Sequence, residues 1–163
     1  MKKKEIVIFS SRLFAINNFL DDLIYSLKKQ YNITIISQID GQSTKNHKIK
    51  YININFDRKI NLFKEFFDVF YFFFYLRKSN PDLIITITPK ISFLVTLSNF
   101  FFRKKRIHFF TGQIWYNYSN VKKIIFKNFD KFILSGSLFA FVDSKSQKKY
   151  LINNGFKKNK LKL

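Results

Sequence analysis

The sequence has no cysteine, and it is poor in several other residues that build functional sites. Its 163 residues include two histidines, four glycines and two prolines. Without cysteine the chain has no disulfide framework, thiolate metal site or cysteine nucleophile. The two histidines, His47 and His108, are too few for a histidine-rich metal site, so we expect no metal ion. His108 lies within a predicted strand, where we expect a structural, hydrogen-bonded histidine.

Acidic residues are also scarce. Ten Asp and Glu stand against thirty Lys and Arg, which gives a net charge of +20. Such a charge favours anionic partners: nucleic acid, acidic lipid or phosphorylated substrates. A composition rich in Lys, Asn, Ile and Phe is also typical of AT-rich genomes, so part of the charge needs no partner. No RNA- or DNA-binding motif accompanies it, and we expect no nucleic-acid partner.

No apolar run is long enough to cross a membrane, which takes about 20 residues. The two longest apolar helical segments, at residues 66–76 and 91–102, leave two alternatives open. Each segment packs in the core, or it lies against a bilayer while basic residues reach the headgroups. The cluster Arg103, Lys104, Lys105 and Arg106 favours the second alternative, since each basic residue near an acidic leaflet contributes roughly 1 kcal/mol.

Apolar strand patterns alternate with helical patterns along the chain. Strands are predicted at residues 5–10, 33–37, 48–56, 82–88, 106–110 and 139–142, the third of them near an edge. Helices are predicted at residues 17–30, 62–78, 92–102, 121–132 and 146–154, the last capped by Gly155. The alternation predicts an α/β, Rossmann-like parallel sheet with helices on both faces. Ligands of such sheets bind at the carboxyl ends of the strands.

The two most apolar helices each have a narrow polar stripe at spacings of three and four. In the helix at residues 62–78 the stripe is Lys64, Glu65, Asp68, Tyr71, Tyr75 and Lys78. In the helix at residues 92–102 it is Ser92, Thr96, Asn99 and Arg103. All other sides of the helix at residues 62–78 are dominated by Phe, Leu or Val, so its pattern separates one polar face from a wide apolar one.

Several enzyme motifs are missing. The sequence has no GxxxxGK[ST], GxGxxG, HExxH or GxSxG. Their absence argues against a P-loop enzyme, a standard dinucleotide oxidoreductase and an α/β-hydrolase.

The first candidate stretch follows the fourth predicted strand. Thr88, Pro89 and Lys90 open a helix there, and backbone amides at a helix start together with a lysine can hold an anion. An ordinary helix cap is the alternative. The first strand ends in Ser10, Ser11 and Arg12, which we expect to lie at the same edge of the sheet.

The second candidate stretch follows the fifth strand and contains Thr111, Gly112, Gln113 and Trp115. Glycine allows a sharp turn or a close approach of a ligand to the backbone. An amide beside a flat indole ring is typical of sugar sites. The alternative is a tight turn with a packed tryptophan.

The third candidate stretch follows the sixth strand and contains Asp143 and Ser144. Either side chain can cap the helix that begins there, and capping alone accounts for the pattern. We nevertheless include both residues among the cleft candidates because they lie at the same edge of the predicted sheet.

Three stretches, taken in order, resemble the N-terminal domain of family 4 glycosyltransferases of the GT-B fold. They are TPK after a strand beginning Pro-Asp, then HFFTGQIW, then FVDSKSQKKYLINNGF. The likeness covers nearly the whole chain, including Asp57–Asn61 before the long helix. It is greatest to the subgroup that builds capsular, O-antigen and other lipid-linked polysaccharides. Many relatives carry histidine where Ile87 and Thr111 stand here, so the resemblance assigns no catalytic residue.

The resemblance implies a division of labour between two domains. The N-terminal domain would bind a lipid-linked or oligosaccharide acceptor, and a C-terminal domain would bind the nucleotide-sugar, which is a co-substrate. No metal ion or other cofactor is implied. The cleft residues would be Thr88, Pro89 and Lys90 on one wall and Thr111, Gly112, Gln113 and Trp115 on the other. The implied location is cytoplasmic, peripheral at the inner face of the cell membrane.

The sequence stops at Leu163, about where the crossing to the donor domain is expected. We therefore expect residues 1–163 to be a single acceptor-side domain without the donor-binding domain, inactive by itself. The chain would be a fragment, a decayed gene or half of a two-chain transferase with a separate donor-binding chain. The alternative function is a non-catalytic, peripheral-membrane or scaffolding half that recruits a partner transferase.

Overall fold

A parallel β-sheet organises the computed structural model, which describes residues 3–39, 41, 49–56 and 61–163. Within those residues the strands are β1 (Glu5–Phe9), β2 (Asn32–Ser37), β3 (Lys50–Asn53), β4 (Leu83–Thr86), β5 (Arg106–Phe110), β6 (Phe139–Val142) and β7 (Leu161–Lys162). His47 and residues 57–60 of the predicted linker lie outside the described residues.

The strand order is β3-β2-β1-β4-β5-β6-β7, and every neighbouring pair is parallel. This confirms the predicted α/β, Rossmann-like sheet, with β3 at one edge as expected. The final strand, β7, was not predicted. It is two residues long, which is too short to produce an alternating pattern.

Helices cover both faces of the sheet. They are α1 (Leu13–Phe19), α2 (Asp21–Leu27), α3 (Leu62–Ser79), α4 (Pro89–Asn99), α5 (Asn120–Ser135) and α6 (Lys145–Asn153). On one face, Ile6, Ile8 and Ile85 of the strands pack against α1 and α2. On the other face, Val7 and Ile84 pack against α3 and α4. The same face continues over β5 to β7, where α5 and α6 cover it.

The predicted helix at residues 17–30 is two helices. Leu20 interrupts it with φ −127°, and α2 begins at Asp21 and Asp22, whose charges suit a helix amino terminus. Leu20 and Ile24 are buried as the pattern predicts, whereas Leu23 is exposed. The predicted cap at Gly155 is present: its φ is +81°, and the amide after it bonds the carbonyl of Leu151 at 3.1 Å.

The polar stripe of α4 lies inside the protein. Ser92, Thr96 and Asn99 are buried. They are satisfied locally: the Thr96 hydroxyl donates to the carbonyl of Ser92 at 2.5 Å, and the Asn99 side chain bonds both the amide and the carbonyl of Lys104. Small polar residues can therefore pack against the sheet because their hydrogen bonds are made within the helix and its end. For residues 91–99 the core alternative is the arrangement found, whereas Phe100 and Phe101, in the same predicted segment, are exposed.

The stripe of α4 meets a second buried polar residue, His108 of β5. Its Nδ1 lies 3.0 Å from the carbonyl oxygen of Thr86 and 3.3 Å from the Ser92 hydroxyl. A carbonyl oxygen only accepts, so Nδ1 carries the proton. Burial and the nearby Arg106 charge lower the pKa of His108 to about 3, so the ring is neutral near pH 7. The expectation of a structural, hydrogen-bonded histidine is confirmed.

Arg106 is also buried, which corrects its expected place in the membrane-facing basic cluster. Its guanidinium donates to the carbonyl oxygens of Ile133 and Gly136 and to the Thr86 hydroxyl. Burial lowers the pKa of Arg106 to about 9. The two exposed members of the cluster are Arg103 and Lys105. Sequence pattern could not separate them, because all four basic residues are consecutive.

The helices of the described part of the chain are all too short or too polar to cross a membrane. The longest of them, α3, has 18 residues and contains both acidic and basic side chains. One side of α3 joins the core through Phe72 and Leu76, but several of its other phenylalanines are exposed. Packing in the core therefore accounts for one side of α3 only, and its other side remains exposed.

We predict that Arg106→Ala lowers the free energy of unfolding by at least about 2 kcal/mol, because buried carbonyls lose their donor. The matched control is Lys105→Ala, which changes the exposed residue immediately before Arg106. It should change the free energy of unfolding by no more than about 0.5 kcal/mol. Urea denaturation of both variants measures the difference. Equal stabilities for the two variants would contradict the structural role of Arg106.

Candidate functional site

The loops after β1 and β4 meet at the carboxyl edge of the sheet. These two strands are neighbours, and the chain reverses its direction of winding between them, which is where open α/β sheets form a ligand crevice. The Thr88 hydroxyl accepts from the Ser11 amide at 2.7 Å and donates to the Ser11 hydroxyl at 2.8 Å. Thr88 and Ser11, predicted from separate stretches, are thus directly bonded.

Ser10 builds the turn of this first loop and is itself buried. Its hydroxyl donates to the Arg12 carbonyl at 2.8 Å and accepts from the Arg12 amide at 3.3 Å. Ser10 therefore cannot contact a ligand in this conformation, which corrects its place among the candidates. Ser11 and Arg12 are half-buried and remain at the surface of the crevice.

Lys90 lies in the first turn of α4 and forms an ion pair with Glu65 of α3. The Nζ–Oε1 distance is 2.5 Å, and the two side chains are 24% and 13% exposed. Thr88 is the residue before α4, but its side chain makes no capping hydrogen bond, because it is bonded to Ser11 instead. Pro89 occupies the first helical position, where a missing amide proton costs nothing. Glu65 was not predicted as part of this wall.

The loop after β5 turns at Gly112, whose φ is +121°. A residue with a side chain rarely adopts this conformation, so the glycine is needed for the turn itself. No atom lies within 4 Å of the place where a side chain would start, so the backbone is open at this point. Thr111 and Gln113 on either side are half-buried.

Gln147 joins the loops after β5 and β6. Its Nε2 lies 3.4 Å from the Phe110 carbonyl and 3.5 Å from Oε1 of Gln113, while its Oε1 accepts from the Asp143 amide at 2.7 Å. Ser144 accepts from the Gln147 amide at 3.1 Å and caps α6. Ser144 therefore caps the helix, which was the alternative to a role as a cleft residue. Gln147 was missed as a candidate, although the S-x-x-Q spacing of a capping box was visible.

Trp115 does not face the crevice. Its ring is 0% exposed, stacks on Tyr150 at 5.2 Å between centroids, and packs against Phe156. The indole Nε1 donates to Oδ2 of the buried Asp130 at 2.7 Å. The expectation that Trp115 offers a face to a sugar is thus corrected: the tight turn with a packed tryptophan is the arrangement found. These aromatic rings contribute more to the stability of the fold when they are buried than they would at the surface.

The described residues contain no group of three or more His, Asp or Glu side chains that could hold a metal ion. The crevice edge instead presents hydroxyl and lysine groups, from Ser11, Thr88 and Lys90, while the amide nitrogen of the half-buried Gln113 is itself buried and has no hydrogen-bond partner within the described residues. Such groups form hydrogen bonds with hydroxyls and phosphate oxygens.

No protein-family model matches the chain, and no curated protein matches it in sequence. Solved structures do match its fold. A glycosyltransferase from Rickettsia africae ESF-5 superimposes with a TM-score of 0.72 at 19% identity, covering 99% of this chain and 42% of that one. A UDP-N-acetylglucosamine 2-epimerase from Rickettsia bellii gives 0.71 at 15% identity, covering 99% and 44%. A lipopolysaccharide outer core galactosyltransferase gives 0.68 at 14% identity, covering 98% and 44%.

This chain has the fold of one half of a GT-B protein. It spans less than half the length of each of these three structures, which belong to two different kinds of enzyme. At such low identity the likeness establishes the fold and leaves the reaction to be argued from the residues.

We predict that Asp130→Asn stabilises the protein increasingly as the pH rises. Burial raises the pKa of Asp130 to about 7, and the hydrogen bond from Trp115 only partly opposes this. Because the folded pKa is raised, the folded state binds more protons than the unfolded state between about pH 4 and pH 7. Wild-type stability therefore loses this contribution as the pH rises through that range, and asparagine does not.

The measurement is the free energy of unfolding of both proteins at pH 5 and pH 8. The advantage of Asp130→Asn should be larger at pH 8 by more than about 1 kcal/mol. Taking the difference between the two proteins cancels other titrating groups such as His108. A difference that does not change with pH would contradict a raised pKa at Asp130.

Proposed function

We propose that the chain is the acceptor-side half of a family 4 glycosyltransferase of the capsular, O-antigen and surface-polysaccharide subgroup. The reaction is transfer of a sugar from a nucleotide-sugar to a lipid-linked or surface-polysaccharide acceptor. Support comes from two sources: the ordered sequence stretches that resemble this family, and a GT-B half-fold in which those stretches lie along one edge of the sheet.

One observation carries the proposal. The Ser11–Thr88 hydrogen bonds and the Gln113–Gln147 contact stand at the carboxyl ends of adjacent strands, β1 with β4 and β5 with β6. Half-buried hydroxyl and amide groups along one edge match the hydroxyls of a sugar in hydrogen-bonding capacity. No atom lies within 4 Å of the place where a side chain of Gly112 would start, which is compatible with the close approach of an acceptor to this loop.

Charge at the edge supports an acceptor that carries phosphate. Lys90 is partly exposed, and its ion pair with Glu65 holds it at the start of α4. A phosphate at this place would compete with Glu65 for the lysine, assisted by the α4 amino terminus. Arg12 lies on the neighbouring loop. Under this proposal Lys90 borders the diphosphate of the acceptor or of the donor.

Half of a sugar-nucleotide 2-epimerase is the second candidate. The observation that favours it is the TM-score of 0.71 with the Rickettsia bellii epimerase. The TM-scores with the two glycosyltransferases, 0.72 and 0.68, are nearly the same. The two candidates differ in whether an acceptor is consumed, and one assay distinguishes them.

We predict that this chain, fused to the remaining half of the Rickettsia africae glycosyltransferase, transfers sugar from a nucleotide-sugar to a polyprenyl-diphosphate-linked acceptor. Gln113→Ala should lower kcat/KM for the acceptor at least about tenfold, because the amide that would hydrogen-bond an acceptor hydroxyl under this proposal is lost. Gln30→Ala is the matched control, since Gln30 is exposed just before β2, at the opposite edge of the sheet. Equal activity of the two variants would refute the placement of Gln113.

The products separate the candidate functions. Epimerised nucleotide-sugar without acceptor turnover would replace the proposal with the second candidate. Neither product, from a fusion that still binds a nucleotide-sugar through its added half, would favour a scaffolding role. Circular dichroism of each variant confirms that the fold is retained.

A further inference from the structure

The outer face of α3 is built from phenylalanine. Phe63, Phe67, Phe70 and Phe74 follow one another at spacings of four, three and four, which places them on one side of the helix. Phe63 is 83% exposed and Phe67 is 67% exposed. Phe66 lies beside them, with its ring 4.7 Å from that of Phe70. We call these five residues the phenylalanine face.

The acidic residues of the polar side of α3 are turned toward the protein, whereas Tyr71 and Lys78 of the same stripe are exposed. Glu65 is 13% exposed and paired with Lys90 of α4, and Asp68 is half-buried. Tyr75 packs edge-on against the core residue Phe9, with 6.4 Å between ring centroids. A helix whose outer face met only water would have the opposite arrangement. The helix is therefore oriented for an apolar environment on its outside.

Neighbouring helices extend the apolar surface. The ring of Phe101, beyond the end of α4, lies 5.9 Å from Phe73 of α3, and Phe101 is itself exposed. On α5, Val121, Ile124 and Ile125 are exposed. The three helices lie on the same face of the sheet, with α4 in contact with both others. Together they offer an aromatic and aliphatic surface larger than a single helix.

Basic residues surround this surface, and acidic ones are withdrawn from it. Residues 62–135 contain twelve Lys and Arg but four Asp and Glu. Of those four, Glu65 is ion-paired, Asp68 is half-buried and Asp130 is buried. Asp82 accepts from the amide of Glu5 at 2.8 Å, at the amino end of the sheet. Arg77, Lys78, Arg103, Lys105 and Lys122 are exposed.

A cavity stands where the apolar and basic residues meet. It has a volume of about 380 Å³ and lies between the carboxyl-terminal ends of α4 and α5. Its walls include Phe100, Arg103, Lys104 and Lys105, with Ser135 and Ser137 opposite. The mixture of an aromatic ring, cations and hydroxyls fits a phosphate group attached to an apolar tail.

We propose that the phenylalanine face of α3 lies in the headgroup region of an anionic lipid bilayer, with the exposed basic residues against the lipid phosphates. The charge decides between possible occupants. A second copy of this chain would bring a molecule of net charge +20 against another of the same charge, whereas an anionic leaflet supplies the opposite charge. The surface does not depend on the proposed transfer reaction, although it would place the crevice beside a lipid-linked acceptor.

The opposite side of the sheet provides an internal control. Phe14 and Phe19 of α1 are 58% and 50% exposed, so they match the phenylalanine face in residue type and exposure. The helix that follows them carries the exposed acidic residues Asp21 and Asp22. These two acidic residues offset Lys28 and Lys29 at the end of α2, so this helix lacks the net positive charge that favours an anionic bilayer.

The test is co-sedimentation with vesicles of phosphatidylcholine containing phosphatidylglycerol, compared with vesicles of phosphatidylcholine only. We expect the wild type to bind the anionic vesicles, and the triple variant Phe63→Ser, Phe67→Ser, Phe74→Ser to bind at least about tenfold more weakly. Phe14→Ser with Phe19→Ser should bind like the wild type. Thermal unfolding of each variant checks that the exposed substitutions leave the fold intact.

A double variant that removes two basic residues tests the electrostatic contribution to bilayer binding. Arg103→Gln with Lys105→Gln should weaken binding to the anionic vesicles and reduce its salt dependence, since fewer basic residues meet the leaflet. Lys28→Gln with Lys29→Gln, at the end of α2 on the other side of the sheet, is the control and should change neither.

Three results would overturn the proposal. One is a wild type that does not bind anionic vesicles. Another is a triple phenylalanine variant that binds as well as its control. The last is a wild-type dimer that the same variant dissociates, measured by sedimentation equilibrium without lipid, because the face would then be an interface between copies.

Discussion

A buried arginine ties together the part of the sheet on which the site depends. Arg106 starts β5, and its guanidinium reaches Thr86 of β4 and two carbonyls at the end of α5, from Ile133 and Gly136. Three elements are thus joined at one point inside the protein. A buried cation is tolerated there because several acceptors surround it, and without them the charge would be buried with no compensation.

The same polar interior aligns the loops at the opposite end of these strands. Thr86 bonds both Arg106 and His108, and Ser92 links His108 to α4. The strand containing Thr86 leads directly into Thr88, which is bonded to Ser11 at the crevice. On the other wall, Trp115 and Asp130 attach the loop after β5 to α5. Buried hydrogen bonds therefore position the half-exposed groups that a ligand would meet.

Much of the fold could be predicted because the strands have continuous apolar runs. β5 and β6 were predicted at the bounds observed, and β1, β2 and β4 within two residues at either end. Predictions failed where a structural feature depends on packing and leaves no pattern in the sequence. The break at Leu20 is a local change of φ within a periodic sequence, and β7 gains its order from pairing with β6. Neither feature leaves a periodicity to detect.

For the site, sequence placed the loops correctly at one edge but could not assign the role of each side chain. Ser11, Thr88 and Gln113 are half-buried at this edge of the sheet, whereas Ser10 and Trp115 are interior. All five look equally suitable in the sequence, because a serine or tryptophan beside a turn can point either way. Lys90 was expected to meet an anion, and its partner Glu65 comes from 25 residues earlier in the chain.

The sequence by itself determined the order of strands and helices, the parallel sheet, the excess of positive charge and the separation of α3 into polar and apolar sides. Only the tertiary structure decided which side of α3 faces outward. The physical reason is that periodicity measures the angle between two faces, while orientation depends on what packs beneath them. Under α3, Phe72 and Leu76 fill the core and Lys90 holds Glu65, and this leaves the five residues of the phenylalanine face at the surface.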